Sequence, residues 1–228
     1  MGSLLIALIL AGCQDAGKAT QPESPTILVE VGGTLQTGSL IFSQGDCLAV
    51  KIFSRSSYTH VGDVVVTNGE IIVYDSMNGV GVRKTPLAEY LRLQTPSEIH
   101  VVHLASPFTQ EQATAFKNHL EGQLGRKYAI KHHLTGKRSD GLHCSEYLTD
   151  ALMAADLIHA NQPPRVSPGS LLKGLELGEL CTDGGRFRLK ADSPPPPENL
   201  TWCQRAWHST ASCFSSCRSQ LKRWVLCR

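Results

Sequence analysis

The chain predicts a fold in which antiparallel strands lie beside helices. A hairpin pattern occupies Tyr58 to Ser76, a helical pattern runs from Tyr147 to Ile158, and the composition is that of a folded domain. Hydrophobic residues make up 41% of the 228 and charged residues 18%, which excludes a wholly disordered chain and a polytopic membrane protein. The length fits one domain with appendages. A chain of this size buries about 70% of its unfolded surface, enough to hold a core without disulfide or metal staples. Lys and Arg number 22 against 20 Asp and Glu, so the net charge of +2 gives no electrostatic footprint for nucleic acid. Aromatic residues, at 6%, are too sparse for a base-stacking platform.

Residues 1–13 read Met-Gly-Ser-Leu-Leu-Ile-Ala-Leu-Ile-Leu-Ala-Gly-Cys and then turn polar at Gln14-Asp15. The apolar run is too short to span a bilayer and has the length of a signal-peptide core ending in small residues. Leu10-Ala11-Gly12-Cys13 resembles the bacterial lipobox, in which small residues fit the peptidase cleft and the cysteine sulfur carries the lipid. No Lys or Arg precedes the run, so unless the start lies upstream only the α-amino group supplies a positive charge. The competing reading is a buried first strand, or an unprocessed apolar tail, with a chance cysteine. The expectation is a leader over 1–12, lipidation at Cys13 and a polar tether over 13–25. The domain then occupies 26–180.

Gly45-Asp46 is a turn entering an apolar strand, on which Cys47 reads as a core residue. Two β-branched runs follow, joined by Asn68-Gly69, the strongest short-range hairpin signal. With Asn68-Gly69 as the loop, Thr67 pairs with Glu70 and Gly62 faces Asp75. His60 lies two residues before Gly62 on the same face, diagonal to Asp75 and within reach of it. The hairpin therefore aims an imidazole and a carboxylate the same way, as a base and its orienting group require. For a lone histidine, an ordinary strand residue is the better reading; the partner Asp75 shifts the balance.

Tyr147, Leu148, Ala151, Leu152, Ala155 and Ile158 recur at helical spacing, with Ser139 or Asp140 as candidate caps. Cys144 falls in or just before the first turn, where the macrodipole lowers a thiol's pKa below about 8.5. Backbone N–H groups of Cys144 and Ser145 can there hold a developing oxyanion. The bland alternative is a buried helix cysteine. His143 is expected to point away from Cys144, as neighbours in a helix do. Glu146 is expected to pack near the helix start without a catalytic part. His132, His133, His143 and Cys144 could suggest a metal site, but His132-His133 sit among Lys127, Lys131, Lys137 and Arg138 and read as a solvated basic loop.

A cysteine at a helix start beside a His–carboxylate pair on a sheet is a papain-type arrangement, here in the order His60, Asp75, Cys144. It resembles the circularly permuted NlpC-type papain-like hydrolases, in particular the YiiX-like branch, over about Leu40 to Leu172. The marks are Gly45-Asp46, Thr59-His60-Val61-Gly62, Gly79-Val80 followed by Pro86-Leu87, Cys144-Ser145-Glu146-Tyr147-Leu148, and Val166-Ser167-Pro168-Gly169-Ser170-Leu171. The resemblance implies an α+β fold, a curved antiparallel sheet packed against the cysteine helix. It implies Cys144 as nucleophile and His60 as general base. Asp75 stands where many relatives place Glu, one methylene longer, and Tyr128-Ala129 where relatives often show Tyr-Asp. No metal or organic cofactor is implied.

Residues 181–198 are expected to be a Pro-rich linker ending in Pro194–Pro197, and 199–228 a basic tail carrying all three tryptophans. In that tail Cys203, Cys213, Cys217 and Cys227 resemble a twin Cys-x9-Cys hairpin, though three residues leave little room for its turn. A poorly structured tail touching a membrane surface is the preferred reading. The functional expectation is an amide or ester hydrolase, or acyl transferase, of envelope peptides or acylated molecules. It would be lipid-anchored on the periplasmic face of the outer membrane and contact no nucleic acid. The rival is a papain-like shell that binds such molecules without turnover.

Overall fold

The computed structural model describes residues 25–44, 56–94, 97–130, 133 and 135–189. The leader, Cys13, Cys47, His132 and the Cys/Trp-rich tail lie outside the described residues. The elements in chain order are α1 (Pro25–Gly32), β1 (Leu40–Gln44), β2 (His60–Thr67), β3 (Glu70–Met77), β4 (Gly81–Pro86) and α2 (Leu87–Gln94). They continue as β5 (Ser97–Leu104), α3 (Gln110–Gly122), α4 (Cys144–Ala154), a 3-10 turn (Pro163–Arg165), α5 (Pro168–Leu177) and β6 (Cys181–Leu189). The fold is α+β, one six-stranded antiparallel sheet ordered β4-β3-β2-β1-β5-β6.

The strands bury both faces, each against its own set of helices. Leu40, Phe42, Val61, Val65, Tyr74 and Val102 pack with Phe116 and Leu120 of α3, Tyr147, Leu148 and Leu152 of α4, and Leu171 and Leu175 of α5. On the opposite face Ile41, Val64, Val73, Ile99 and Val101 meet Val31 of α1 and Leu87, Tyr90 and Leu91 of α2. This explains why the β2 run Val64-Val65-Val66 is apolar without alternation: successive side chains enter different cores.

The hairpin has the predicted register, Thr67 opposite Glu70 and Asp63 opposite Tyr74. Asn68 and Gly69 both take left-handed backbone, φ 53° and 80°, as a two-residue primed turn demands. The helices begin on local chemistry. Thr109 and Gln112 form a capping box on α3, and Ser167 and Ser170 form one on α5, with Pro168 in its first turn. The Ser-Pro-Gly-Ser motif is thus a helix start. Its Gly169 leaves space for Ser56, whose Oγ accepts the Tyr58 N–H at 3.1 Å.

Two expectations need correction. The linker predicted over 181–198 does not begin at 181, because residues 181–189 form β6, which pairs along the whole of β5. Leu189 is buried and Phe187 packs beside it against the second core. Gly184-Gly185 weaken the strand signal there, and the register shifts at the neighbouring Val101/Val102. Neither Ser139 nor Asp140 caps the cysteine helix; His143 does, with extended backbone and a side chain that accepts the Glu146 N–H.

Asp63 projects into the first core from β2, fully buried and with no charged partner among the described residues. Burial raises its carboxyl pKa well above the ordinary value, and the Val64 N–H offsets only part of this. The folded state therefore keeps a proton that the unfolded chain releases above about pH 4. Stability falls as pH rises from there until the folded carboxyl itself ionises. Asp63→Asn is expected to flatten that decline and to raise the melting temperature at pH 7, measured against wild type by calorimetry from pH 4 to 8.

Candidate active site

Three adjacent strands and one helix start bring four side chains into a line. His60 is the first residue of β2, Asp75 sits in β3, Arg83 lies opposite Asp75 in β4, and Cys144 opens α4. His60 Nε2 and Asp75 Oδ2 are 3.0 Å apart. Arg83 donates from Nε to Asp75 Oδ1 at 2.8 Å and from Nη2 to Oδ2 at 3.1 Å. His60 is also close enough to the Cys144 thiol for each to act on the other's ionisation. Asp75 is 0% exposed, Cys144 4% and His60 8%, so the line is nearly dry.

The charges follow from these contacts. Burial pulls the His60 pKa down, but the bonds to Asp75 and to Cys144 outweigh it and push it up to about 10. Burial likewise pushes the Cys144 thiol up, and the contacts with His143 and His60 reverse this, to about 5. Asp75 is held below the usual carboxylate range, because His60 and Arg83 outweigh its burial. Neutral pH therefore finds the arrangement as thiolate, imidazolium, carboxylate and guanidinium.

The backbone holds Cys144 in place. Ser76 of β3 donates its hydroxyl to the Leu142 carbonyl at 2.7 Å. The Leu142 N–H donates to Lys127 O at 2.9 Å. Leu142 also forms a parallel bridge with Tyr128, so the segment before Cys144 is a strand-like clamp. The Tyr147 N–H makes the first intrahelical bond, to His143 O, and the Glu146 N–H goes to His143 Nδ1 at 3.3 Å. The N–H groups of Cys144 and Ser145 precede that bond and have no intrahelical acceptor, the condition for receiving an oxyanion.

Sequence reasoning missed three residues. His143 was expected to point away from Cys144; as the N-cap it lies outside the helix, and its imidazole contacts the thiol. Its Nε2–H donates to Pro164 O at 2.8 Å while Nδ1 accepts from Glu146, which defines the neutral tautomer. Arg83 carried no signal because the β3–β4 register was unread. Tyr58, two residues before His60, accepts from Arg186 Nη1 at 2.7 Å and bonds His100 Nδ1 at 2.8 Å, while His100 Nε2 meets Asp183 Oδ1 at 2.9 Å. This cluster ties β6 to the approach of His60. Lys127, Lys137 and Arg138 are exposed, as a solvated basic loop requires, whereas His133 is half-buried, its ring edge-on to His143 at 5.3 Å. Arg138 holds Asp150 of α4 through two 2.6 Å bonds. Glu146, fully buried, lies 3.7 Å from Arg138 and 3.9 Å from His143. Among the described residues no group of three or more His, Cys, Asp or Glu is arranged to hold a metal ion.

A helix-borne cysteine beside a His–Asp pair on an antiparallel sheet is the arrangement of a papain-like cysteine hydrolase. The family described as permuted papain-like amidase enzyme, YaeF/YiiX, C92 family, matches residues 34–168. The chain belongs to that family, whose activity is of the cysteine-hydrolase type. A solved structure similar to this chain is that of metalloprotein YiiX from Escherichia coli O157:H7. The two are 23% identical with a TM-score of 0.46, over 54% of this chain and 67% of that one. No curated protein matches the sequence.

Gly62 sets the spacing beside His60. A Cβ there would stand 2.8 Å from Tyr90 Oη and 2.8 Å from Val73 Cγ1, and the Tyr90 ring lies 6.3 Å from the His60 imidazole. Gly62→Ala is expected to cost about 1–3 kcal/mol through overpacking, read as a lower urea midpoint.

Proposed function

We propose that the protein is a thiol hydrolase cleaving amide or ester bonds in cell-envelope peptides or acylated molecules, with Cys144 as nucleophile, His60 as general base and Asp75 as its orienting group. The observation that carries this reading is His60 hydrogen-bonded to Asp75 at 3.0 Å and standing close enough to the Cys144 thiol for the two to act on each other's ionisation. The thiolate attacks the substrate carbonyl, and the N–H groups of Cys144 and Ser145 receive the oxyanion. The imidazolium gives its proton to the leaving amine or alcohol as the tetrahedral intermediate collapses to a thioester. His60 then takes a proton from water, whose oxygen attacks the thioester and releases the acid and Cys144. An amine or alcohol acceptor in place of water makes the same thioester an acyl-transfer intermediate. Asp75 fixes the ring and stays ionised throughout. The reaction as written uses no metal or organic cofactor.

The NlpC-type kinship and the envelope address belong to the same reading and rest on the sequence. Leu10-Ala11-Gly12-Cys13 would place a lipid on Cys13 and hold the enzyme at the periplasmic face of the outer membrane. Substrates would then be envelope peptides or acylated molecules within reach of that surface. One observation favours the rival, a binding shell without turnover: the thiol is 4% exposed.

The pH dependence separates the two. Cys144 ionises through about 5 and His60 loses its proton through about 10, so the reactive pair exists between those limits. In the intact protein, iodoacetamide should label Cys144 from about pH 5 upward, at pH 6 at least about tenfold faster than an ordinary exposed cysteine. His60→Ala should lose that advantage, and Cys144→Ser should have no hydrolytic activity. Labelling of Cys144 that begins only above pH 8 would sink the hydrolase reading and leave the binding shell.

A further inference from the structure

We infer that Arg83 is a positioning residue of this site, its guanidinium fork holding the Asp75 carboxylate in the one orientation that serves His60. The inference rests on the catalytic reading of Cys144 and His60. It adds a fourth residue, from a strand that contributes no reacting group.

A carboxylate that meets a single hydrogen-bond donor can rotate about its terminal torsion, which is broad and two-fold rather than confined to one well. Asp75 is not left with one donor. Arg83 Nε engages Oδ1 and Nη2 engages Oδ2, at 2.8 and 3.1 Å, so two points fix the carboxylate plane. His60 then meets Oδ2, at 3.0 Å. Only a planar fork does this; a lysine supplies charge but no second point at fixed geometry. The strand register delivers the pair, since Arg83 stands directly opposite Asp75.

Burial adds a second requirement. Asp75 is fully buried, and a carboxylate there is retained as a charge only when it is paired and hydrogen-bonded. The Arg83 side chain is 20% exposed, so it reaches the carboxylate from the rim and keeps contact with solvent. The other titratable groups acting on the guanidinium are Tyr90 and Glu89 of α2, and neither hydrogen-bonds Asp75 in place of Arg83. Arg83 forms no bond to Cys144, so any influence on the thiol passes through Asp75 and His60.

That route makes the inference testable by a double-mutant cycle on thiol reactivity in the full chain, which needs no substrate. Cys144 alkylation by iodoacetamide would be followed by mass spectrometry from pH 4 to 9. The set is wild type, Arg83→Gln, Arg83→Lys, Asp75→Asn and the Arg83→Gln/Asp75→Asn pair, with circular dichroism reporting folding. The expected result is that Arg83→Gln moves the profile upward by about one pH unit, so that labelling at pH 4 falls about tenfold and at pH 6 only about twofold. Arg83→Lys should recover only part of the loss. In the Asp75→Asn background, Arg83→Gln should change labelling by less than about twofold, as residues acting in series do. A profile for Arg83→Gln that superimposes on an activated wild type overturns the inference and leaves the catalytic reading standing. So does an undiminished Arg83→Gln effect when Asp75 is already asparagine. Should the Gln variant fail to fold, Arg83→Lys decides alone: a raised profile supports the fork, and an unchanged one overturns it. A wild-type thiol that is not activated overturns the catalytic reading and this inference together.

Discussion

Asp75 has no surface in water, and a carboxylate in that position is tolerated only where cations and hydrogen bonds surround it. Much of the site's architecture can be read as the answer to that demand. The three strands at one side of the sheet, β4, β3 and β2, each place one member of an alternating charge sequence: Arg83, Asp75 and His60. Cys144 ends it. A slip of one residue in either strand pair would turn its side chains to the other face and separate the charges. Hence the primed turn at Asn68-Gly69 matters to the chemistry as well as to the fold.

Cys144 is held by a different kind of constraint. Its helix does not start on a serine or aspartate but on an imidazole whose two nitrogens are both occupied, one by the Glu146 N–H and one by the Pro164 carbonyl. His143 therefore faces two opposing demands. The thiolate favours a charged ring, whereas the cap needs Nδ1 as an acceptor and a cation there would oppose the helix dipole. Burial of the ring lowers its pKa, but the contacts with Cys144 and Pro164 outweigh this and raise it, against the cap's preference for a neutral ring. The clamp on Leu142 from Ser76 and Lys127 fixes where this helix begins relative to β3.

What was legible in the sequence were features that local rules determine. Asn68-Gly69 defined a register and with it the approach of His60 to Asp75. The spacing from Tyr147 to Ile158 placed Cys144 at a helix start. What was not legible depended on pairings between distant strands. Arg83 becomes a partner of Asp75 only through the β3–β4 register, and the turn between those strands lacks the sharp signal of Asn-Gly. The two glycines and exposed charges of β6 look like a loop until β5 supplies the hydrogen bonds. His143 was misjudged by one residue of helix boundary, since a cap and a first-turn residue point their side chains differently.

The ends of the sheet bear on how copies of the chain meet. The outer strands are β4 and β6, and unpaired strand edges recruit other chains unless something spoils the fit. β4 is short, carries exposed Lys84 and ends on Pro86, which has no N–H to offer a neighbour. β6 carries exposed Arg186 and Arg188 and a shift in register where it passes Val101. Both rims therefore repel or mismatch an incoming strand. β6 in particular covers β5, pairing with it from Ser97 to Leu104 so that the buried run Ile99 to Val102 is not left at an edge. The strand that looks most like a loop thus takes the edge position itself and presents Arg186 and Arg188 there.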